Sequence, residues 1–112
     1  MTTATTGQLL RDGRRGGSPI IAFNAINLEM AEAIVDGAES VGLPVIVQIS
    51  ENAIRYHGSR LAPFATGCLR LAVGSASPVA LHLDHIEDER LVYQVVACGF
   101  GYLRFATDRR MR

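Results

Sequence analysis

Two stretches of this chain, V-G-L-P-V-I-V-Q-I-S (41–50) and S-A-S-P-V-A-L-H-L-D-H (75–85), follow one pattern. Each has a small or glycine residue, a proline, a β-branched start, an apolar run and a polar exit. Proline is tolerated where a strand opens, and a short apolar run bounded by turn signals reads as a buried strand. Strand starts recur near positions 20, 44, 78 and 101, so each unit is roughly 25 to 35 residues, enough for a strand and a returning helix. The pattern predicts an α/β fold built from parallel, right-handed βα units.

The segments between the strands carry helical signals. An N-terminal helix is expected near Thr6 to Asp12, followed by the loop G-R-R-G-G-S-P and a short strand from Ile20 to about Asn24. From Leu28 onward, Leu28, Ala31, Ile34, Val35 and Ala38 fall on one helical face, and Glu29, Glu32, Asp36 and Glu39 lie largely on the other. Asn27 suits an N-cap there and Gly42 a C-terminal stop. Further helices are expected from about Ala62 to Gly74 and from Glu87 to Cys98, with Y-L-R-F-A as a fourth strand.

Polar residues recur where the strands end: Asn24 and Asn27, then Gln48 and Ser50, then His82, Asp84 and His85. Loops at that end of a parallel sheet converge, so sites are built there. His82 and Asp84 share a face at the two-residue period, and His85 turns toward the same cleft if the strand stops before it. Several of these residues have a structural reading as well. Asn27 and Ser50 suit helix caps or turns as readily as a site. His57 reads as a solvated loop residue, and His82 reads either as a satisfied core histidine or as a site group. Asp84 is different, because burying a carboxylate with no partner costs several kcal/mol.

All eleven basic residues are arginine. Without lysine the chain cannot form an imine with a carbonyl substrate, nor place a P-loop lysine on a phosphate. The formal net charge is zero, which leaves no field to steer a polyanion, so no nucleic-acid partner is expected. The apolar runs are too short to span a bilayer, so no membrane partner is expected either, and the chain is read as cytoplasmic. With 112 residues and 48% apolar content it is read as one packed unit. Cys68 and Cys98 lack metal-knuckle or disulfide-scaffold spacing and read as inert thiols.

Taken together, G-S-P-I-I-A-F-N-A-I-N-L-E-M-A-E-A-I-V-D-G-A-E, P-V-I-V-Q-I-S-E-N-A-I-R-Y-H-G, P-V-A-L-H-L-D-H and a helix ending A-C-G-F resemble the N-terminal half of the class II, metal-dependent fructose-bisphosphate and ketose-bisphosphate aldolases. The resemblance covers about residues 7–100 and leaves 101–112 as an atypical tail, all within one partial domain, 1–112. It implies the first half of a TIM (β/α)₈ barrel, since 112 residues hold only about half of the ~250 that a closed barrel uses. It also implies zinc-dependent, reversible cleavage of fructose 1,6-bisphosphate to dihydroxyacetone phosphate and glyceraldehyde 3-phosphate, as in glycolysis and gluconeogenesis. Tagatose-bisphosphate aldolases share the same motifs.

Residue by residue, the resemblance implies Asp84 as the acid/base at the C4 hydroxyl and His85 as one of three histidine ligands to zinc. Ser50 would lie near a substrate phosphate and Asn24 would line the site. His82 would orient its neighbours. The implied partners are a phosphorylated ketose and, in the full-length family, further copies of the chain. Zinc acting as a Lewis acid needs no amine, which suits a chain without lysine.

The tail G-Y-L-R-F-A-T-D-R-R-M-R departs from the family, with Ala106 where an aspartate belongs and Arg104 where an apolar residue belongs. It suggests a shifted frame or a truncated gene, against a genuine surface tail. The other zinc histidines and the phosphate-binding motifs are missing, so the chain alone is expected to be inactive. Competing readings are a non-catalytic, flavodoxin-like module that binds a phosphorylated ligand, and a half-barrel that assembles with a second copy or a separate C-terminal half.

Overall fold

In a computed structural model of the chain, the structure describes residues 6–17, 19–84, 88, 90, 94 and 104–106, the last three as backbone only. The elements run α1 (Thr6–Gly16), β1 (Ala22–Asn24), α2 (Leu28–Val41), β2 (Val45–Ser50), α3 (Glu51–Tyr56), α4 (Leu61–Gly74), β3 (Val79–Asp84) and β4 (Arg104–Ala106). The four strands form one sheet in the order β1-β2-β3-β4, and every pairing is parallel. Sequential parallel strands need crossovers, and α2 and the α3–α4 pair supply them.

Both proline-led runs become strands that start one residue after the proline, at Val45 and Val79. Pro78 still contributes, because its carbonyl accepts from the Val45 N–H at 3.1 Å. The strands are mostly apolar because the face toward α2 and α4 is covered along its length and the other face at its start. Val45, Val47 and Ile49 of β2 and Val79, Leu81 and Leu83 of β3 pack in one core with Ala31, Val35 and Ala38 of α2 and Leu61, Phe64, Ala65, Cys68 and Ala72 of α4. Fully burying a Val, Leu or Phe contributes roughly 1.5–3 kcal/mol, so this layer holds the helices to the sheet.

The opposite face is covered at its lower end by α1. Leu9 is buried against Ile46 and Ala80, with Ile20 packed alongside. The helix runs on through Gly13 to Gly16, beyond the expected end near Asp12, and stops at Gly17 with a left-handed φ of 72°. Gly13 is buried, so a residue that reads as a breaker instead sits within the packed helix. A helical interior glycine costs about 1 kcal/mol relative to alanine, an amount that the burial of Leu9 exceeds.

Asn27 caps α2, its side chain accepting from the Met30 N–H at 2.8 Å, and Gly42 ends the helix with a left-handed φ of 70°. The turn before β3 is tied back to the same helix. Ala76 N–H donates to Glu39 Oε2 at 2.6 Å and Ser77 Oγ donates to the Ala38 carbonyl at 3.3 Å. The short helix α3 has no counterpart in the sequence reading; six residues are too few to show a period. The predicted helix from Glu87 to Cys98 lies largely outside the described residues, although Arg90 and Gln94 have helical backbone. Within the fourth predicted strand, Arg104–Ala106 are described and are extended as β4.

β1 is the thin edge of this arrangement. All three of its residues are exposed, and Ile21, Phe23, Val41 and Leu43 leave an apolar groove open between β1 and α2.

Candidate active site at the strand exits

The register brings the polar exits level with one another. Asn24 pairs with Gln48, Gln48 with His82, and Ser50 with Asp84. Because side chains alternate, Gln48 and Ser50 of β2 and His82 and Asp84 of β3 share the face that α1 covers lower down. Below them on that face lie Ile46 and Ala80, both buried, whereas Gln48, Ser50, His82 and Asp84 are half-buried and Asn24 is exposed. Each strand thus passes from a dry end to an open polar end.

One side chain links the three strands. Gln48 Nε2 donates to Asn24 Oδ1 at 3.3 Å and lies 3.5 Å from Asp84 Oδ2, so a carboxamide on β2 joins an amide on β1 to a carboxylate on β3. Both bonds are long and correspondingly weak. The sequence marks Gln48 as a polar exit but gives it no task, because neither partner is near in the chain. The other expected site residues fall out as follows. Ser50 Oγ accepts from the Ala53 N–H at 3.2 Å and so caps α3, while its hydroxyl proton keeps the capacity to donate. His82 stands at the level of Gln48 and Arg104. His85 lies outside the described residues.

His57 does not behave as a solvated loop residue. It is half-buried, stacks on Phe64 with ring centroids 4.6 Å apart, and its Nε2–H donates to the Ile26 carbonyl. It pins the connection that leaves β1. The aromatic partner is seven residues away in sequence, in a helix with Pro63 in its first turn, and the repeat gives no sign of it.

Around the exits the connections are held by buried and half-buried polar groups. Glu51, buried at the start of α3, pairs through Oε2 with Arg55 at 2.6 Å and accepts from the Asp88 N–H through Oε1 at 2.7 Å. Beyond it, Asp88 receives the Arg90 guanidinium at 3.1 Å, which holds its carboxyl below the usual range. Burial pushes the Cys68 thiol up to about 12, so it stays protonated. That agrees with the expected inert thiol; Cys98 lies outside the described residues.

Among the described residues no three His, Cys, Asp or Glu side chains gather as a metal site. His82 and Asp84, on one strand, do not by themselves make the three-ligand set that catalytic zinc takes. No helix among the described residues is long and apolar enough to cross a membrane.

Comparison with known proteins places this geometry in context. Residues 4–102 match the family described as fructose-bisphosphate aldolase class-II. A fructose-bisphosphate aldolase of Thermus caldophilus is 37% identical over 93 residues, which is 83% of this chain and 30% of that protein. A 6-phospho-5-dehydro-2-deoxy-D-gluconate aldolase of Shouchella clausii is 37% identical over 98 residues, 87% of this chain and 33% of that protein. The crystal structure of the YdjI aldolase from Escherichia coli K12 superposes with a TM-score of 0.75 at 22% identity, over 88% of this chain and 38% of that one, a likeness of fold. The chain therefore spans about a third of the length of the relatives it matches.

Proposed function

The chain belongs to the class-II fructose-bisphosphate aldolase family, and on that premise we propose that it forms the first half of a (β/α)₈ aldolase barrel and supplies one side of its site. The observation that carries this reading is the level alignment of Asn24, Gln48, Ser50, His82 and Asp84 at the exits of adjacent parallel strands. Four sequential strands are half of the eight that such a barrel closes.

In this reading the substrate is a phosphorylated ketose, and the reaction is reversible aldol cleavage of fructose 1,6-bisphosphate. Asp84 takes the proton from the C4 hydroxyl as the C3–C4 bond breaks and returns it in the reverse direction. Gln48, hydrogen-bonded to Asp84, limits where that carboxylate points. Asn24 lines the site beside it, and Ser50 offers its hydroxyl proton to a substrate phosphate while its oxygen keeps the cap on α3. His82 orients its neighbours. Relatives named for two different phosphorylated substrates match the same part of the chain, which supports a role for this half in shared chemistry rather than in the choice of sugar.

Zinc, the family's metal, would stabilise the enediolate as a Lewis acid. The described residues do not hold it alone. His85 stays a proposed ligand, to be joined by two from the remainder of the barrel. Cytoplasmic location and assembly with further copies belong to the same reading and rest on family membership.

Fructose 1,6-bisphosphate titrated into the isotopically labelled chain is expected to move the amide signals of Asn24, Gln48, Ser50 and Asp84 and to leave those at the strand starts unchanged. Shifts centred elsewhere, or none at saturating ligand, would overturn the site. In a coupled triose-phosphate assay with added zinc the 112-residue chain is expected to show no turnover. Chelator-sensitive turnover that is lost in Asp84→Asn would refute the half-site reading.

A further inference from the structure

Four large exposed apolar residues gather at one edge of the fold. Ile21, Phe23, Val41 and Leu43 are 55%, 48%, 65% and 56% exposed and line a groove of about 800 Å³ between β1 and α2. Phe23 pairs in register with Val47, so it stands on the helix-covered face of the sheet, where Ala33, Gly37 and Val41 of α2 form one stripe along the same groove. A Cβ added at Gly37 would meet nothing within 4 Å, so this flank of α2 is open. The backbone of β1 is open on the same side. Ile46 N–H donates to the Ile21 carbonyl at 3.0 Å and Ala25 N–H donates to the Gln48 carbonyl at 2.9 Å, which turns the backbone groups of residues 21, 23 and 25 toward β2. Ala22 and Asn24 therefore point their N–H and C=O groups outward, along the edge of the sheet.

We infer that this edge is an interface between two copies of the chain, related by a two-fold axis that passes beside Phe23. A three-residue edge offers few bonds, so its partner must cover the groove as well, and a second copy brings an identical strand edge and an identical apolar flank together. In an antiparallel pair centred on Phe23, Ala22 exchanges both backbone bonds with the partner's Asn24, and the two phenylalanines face each other as the close, non-hydrogen-bonded pair. The same axis sets α2 beside its copy across the groove. The four residues leave roughly 350 Å² of apolar surface open in each copy, so two copies with their strand edges and helix flanks bury about 1,000–1,200 Å², the lower end for a specific interface. Micromolar affinity follows. Glu29, Glu32, Asp36 and Glu39 leave α2 acidic with no basic residue, so the two helices repel and salt tightens the pair. The interface rests on the fold and not on the aldolase reading. It takes the edge that a neighbouring strand of a completed barrel would use, so self-pairing and barrel completion exclude each other.

Sedimentation velocity on the 112-residue chain, from about 1 to about 200 µM, is expected to show a reversible monomer–dimer equilibrium with a micromolar midpoint that tightens as salt is raised. Ala22→Pro removes an outward N–H at an edge position where proline is tolerated, and is expected to weaken the dimer by about tenfold or more with unchanged far-UV circular dichroism. Phe23→Lys and Phe23→Glu each place like charges opposite one another at the axis and are expected to abolish the dimer, whereas an equimolar mixture of the two restores it to within about tenfold of the parent. Tyr56→Ser, at a residue 71% exposed and outside the groove, is the control and is expected to stay within about threefold. A monomer at every concentration, growth beyond the dimer, weakening by salt, an undiminished Ala22→Pro dimer, equal weakening by Tyr56→Ser, or a charge-swapped mixture no better than its components would each overturn the proposal. The signals that fructose 1,6-bisphosphate is expected to move at the strand exits are read independently, so the two readings fail separately.

Discussion

Replacing Leu9 by alanine tests whether α1 seals the lower end of the sheet. Leu9 is 3% exposed and meets Ile46 and Ala80 beneath the polar exits. The substitution removes three buried carbons, and at about 0.8 kcal/mol per methylene the transfer loss is about 2.4 kcal/mol. The residual-cavity contribution is small, because α1 packs from one side and can settle toward the sheet, so the total stays near the lower end of the 2–5 kcal/mol range typical of Leu→Ala. With a urea dependence of about 1.5 kcal/mol/M, the unfolding midpoint falls by about 1.6 M. Leu10, next in sequence but 51% exposed, is the control, and Leu10→Ala is expected to stay within about 0.5 kcal/mol of the parent. Urea unfolding followed by far-UV circular dichroism reads both. Equal midpoints for the two variants would refute the seating of α1, and with it the contrast between a closed end and an open end on which the site reading depends.

Other outcomes follow from single residues. Cys68, its thiol raised from an ordinary 9.0 to about 12, is expected to react with iodoacetamide about a thousandfold more slowly in the folded chain than in urea, from ionisation alone, as read by peptide mass spectrometry. Because the folded value lies above the unfolded one, the stability linked to this group is complete below about pH 9 and is lost as pH rises toward 12; a midpoint that climbs with pH in a Cys68→Ser-corrected series over that window contradicts the assignment. Ser59 holds a left-handed φ of 59°, a conformation costing a non-glycine residue about 1 kcal/mol, so Ser59→Gly is expected to raise the unfolding midpoint while its carbonyl keeps the bond from Gln94. Gln94→Ala removes both that bond and the cap on α4, and a loss of about 1–2 kcal/mol in urea unfolding is expected, with the fastest new amide exchange at Leu61.

Where the sequence was legible, the signal was local and strong. Pro44 and Pro78 each precede a run with no polar residue until its exit, and β2 and β3 begin directly after them. Asn27 and Gly42 bracket α2 as their capping chemistry requires. Legibility failed where long-range packing decides. The glycines after Asp12 read as a loop, yet Gly13 lies buried within α1. Ser50 followed by Glu51 left turn and cap open, and a six-residue helix shows no period to decide between them. His57 reads as solvated in the sequence because its stacking partner, Phe64, and its carbonyl partner, Ile26, come from separate parts of the chain. For the candidate site, the residue types and their level at the strand exits could be anticipated from the repeat. The bonds that organise them could not, because Gln48 reaches partners 24 and 36 residues away and Glu51 one 37 away.

The sheet face that α1 covers only in part also has an evolutionary consequence. Along β2 and β3, tolerance of change depends on height: at Ile46 and Ala80 a polar replacement is paid for by the whole fold, whereas two residues further on, at Gln48 and His82, it meets a half-open polar end and alters mainly what that end offers a ligand. A chain laid out this way can change the chemistry of its open end without renegotiating its stability, because the two properties are written into different rungs of the same strands.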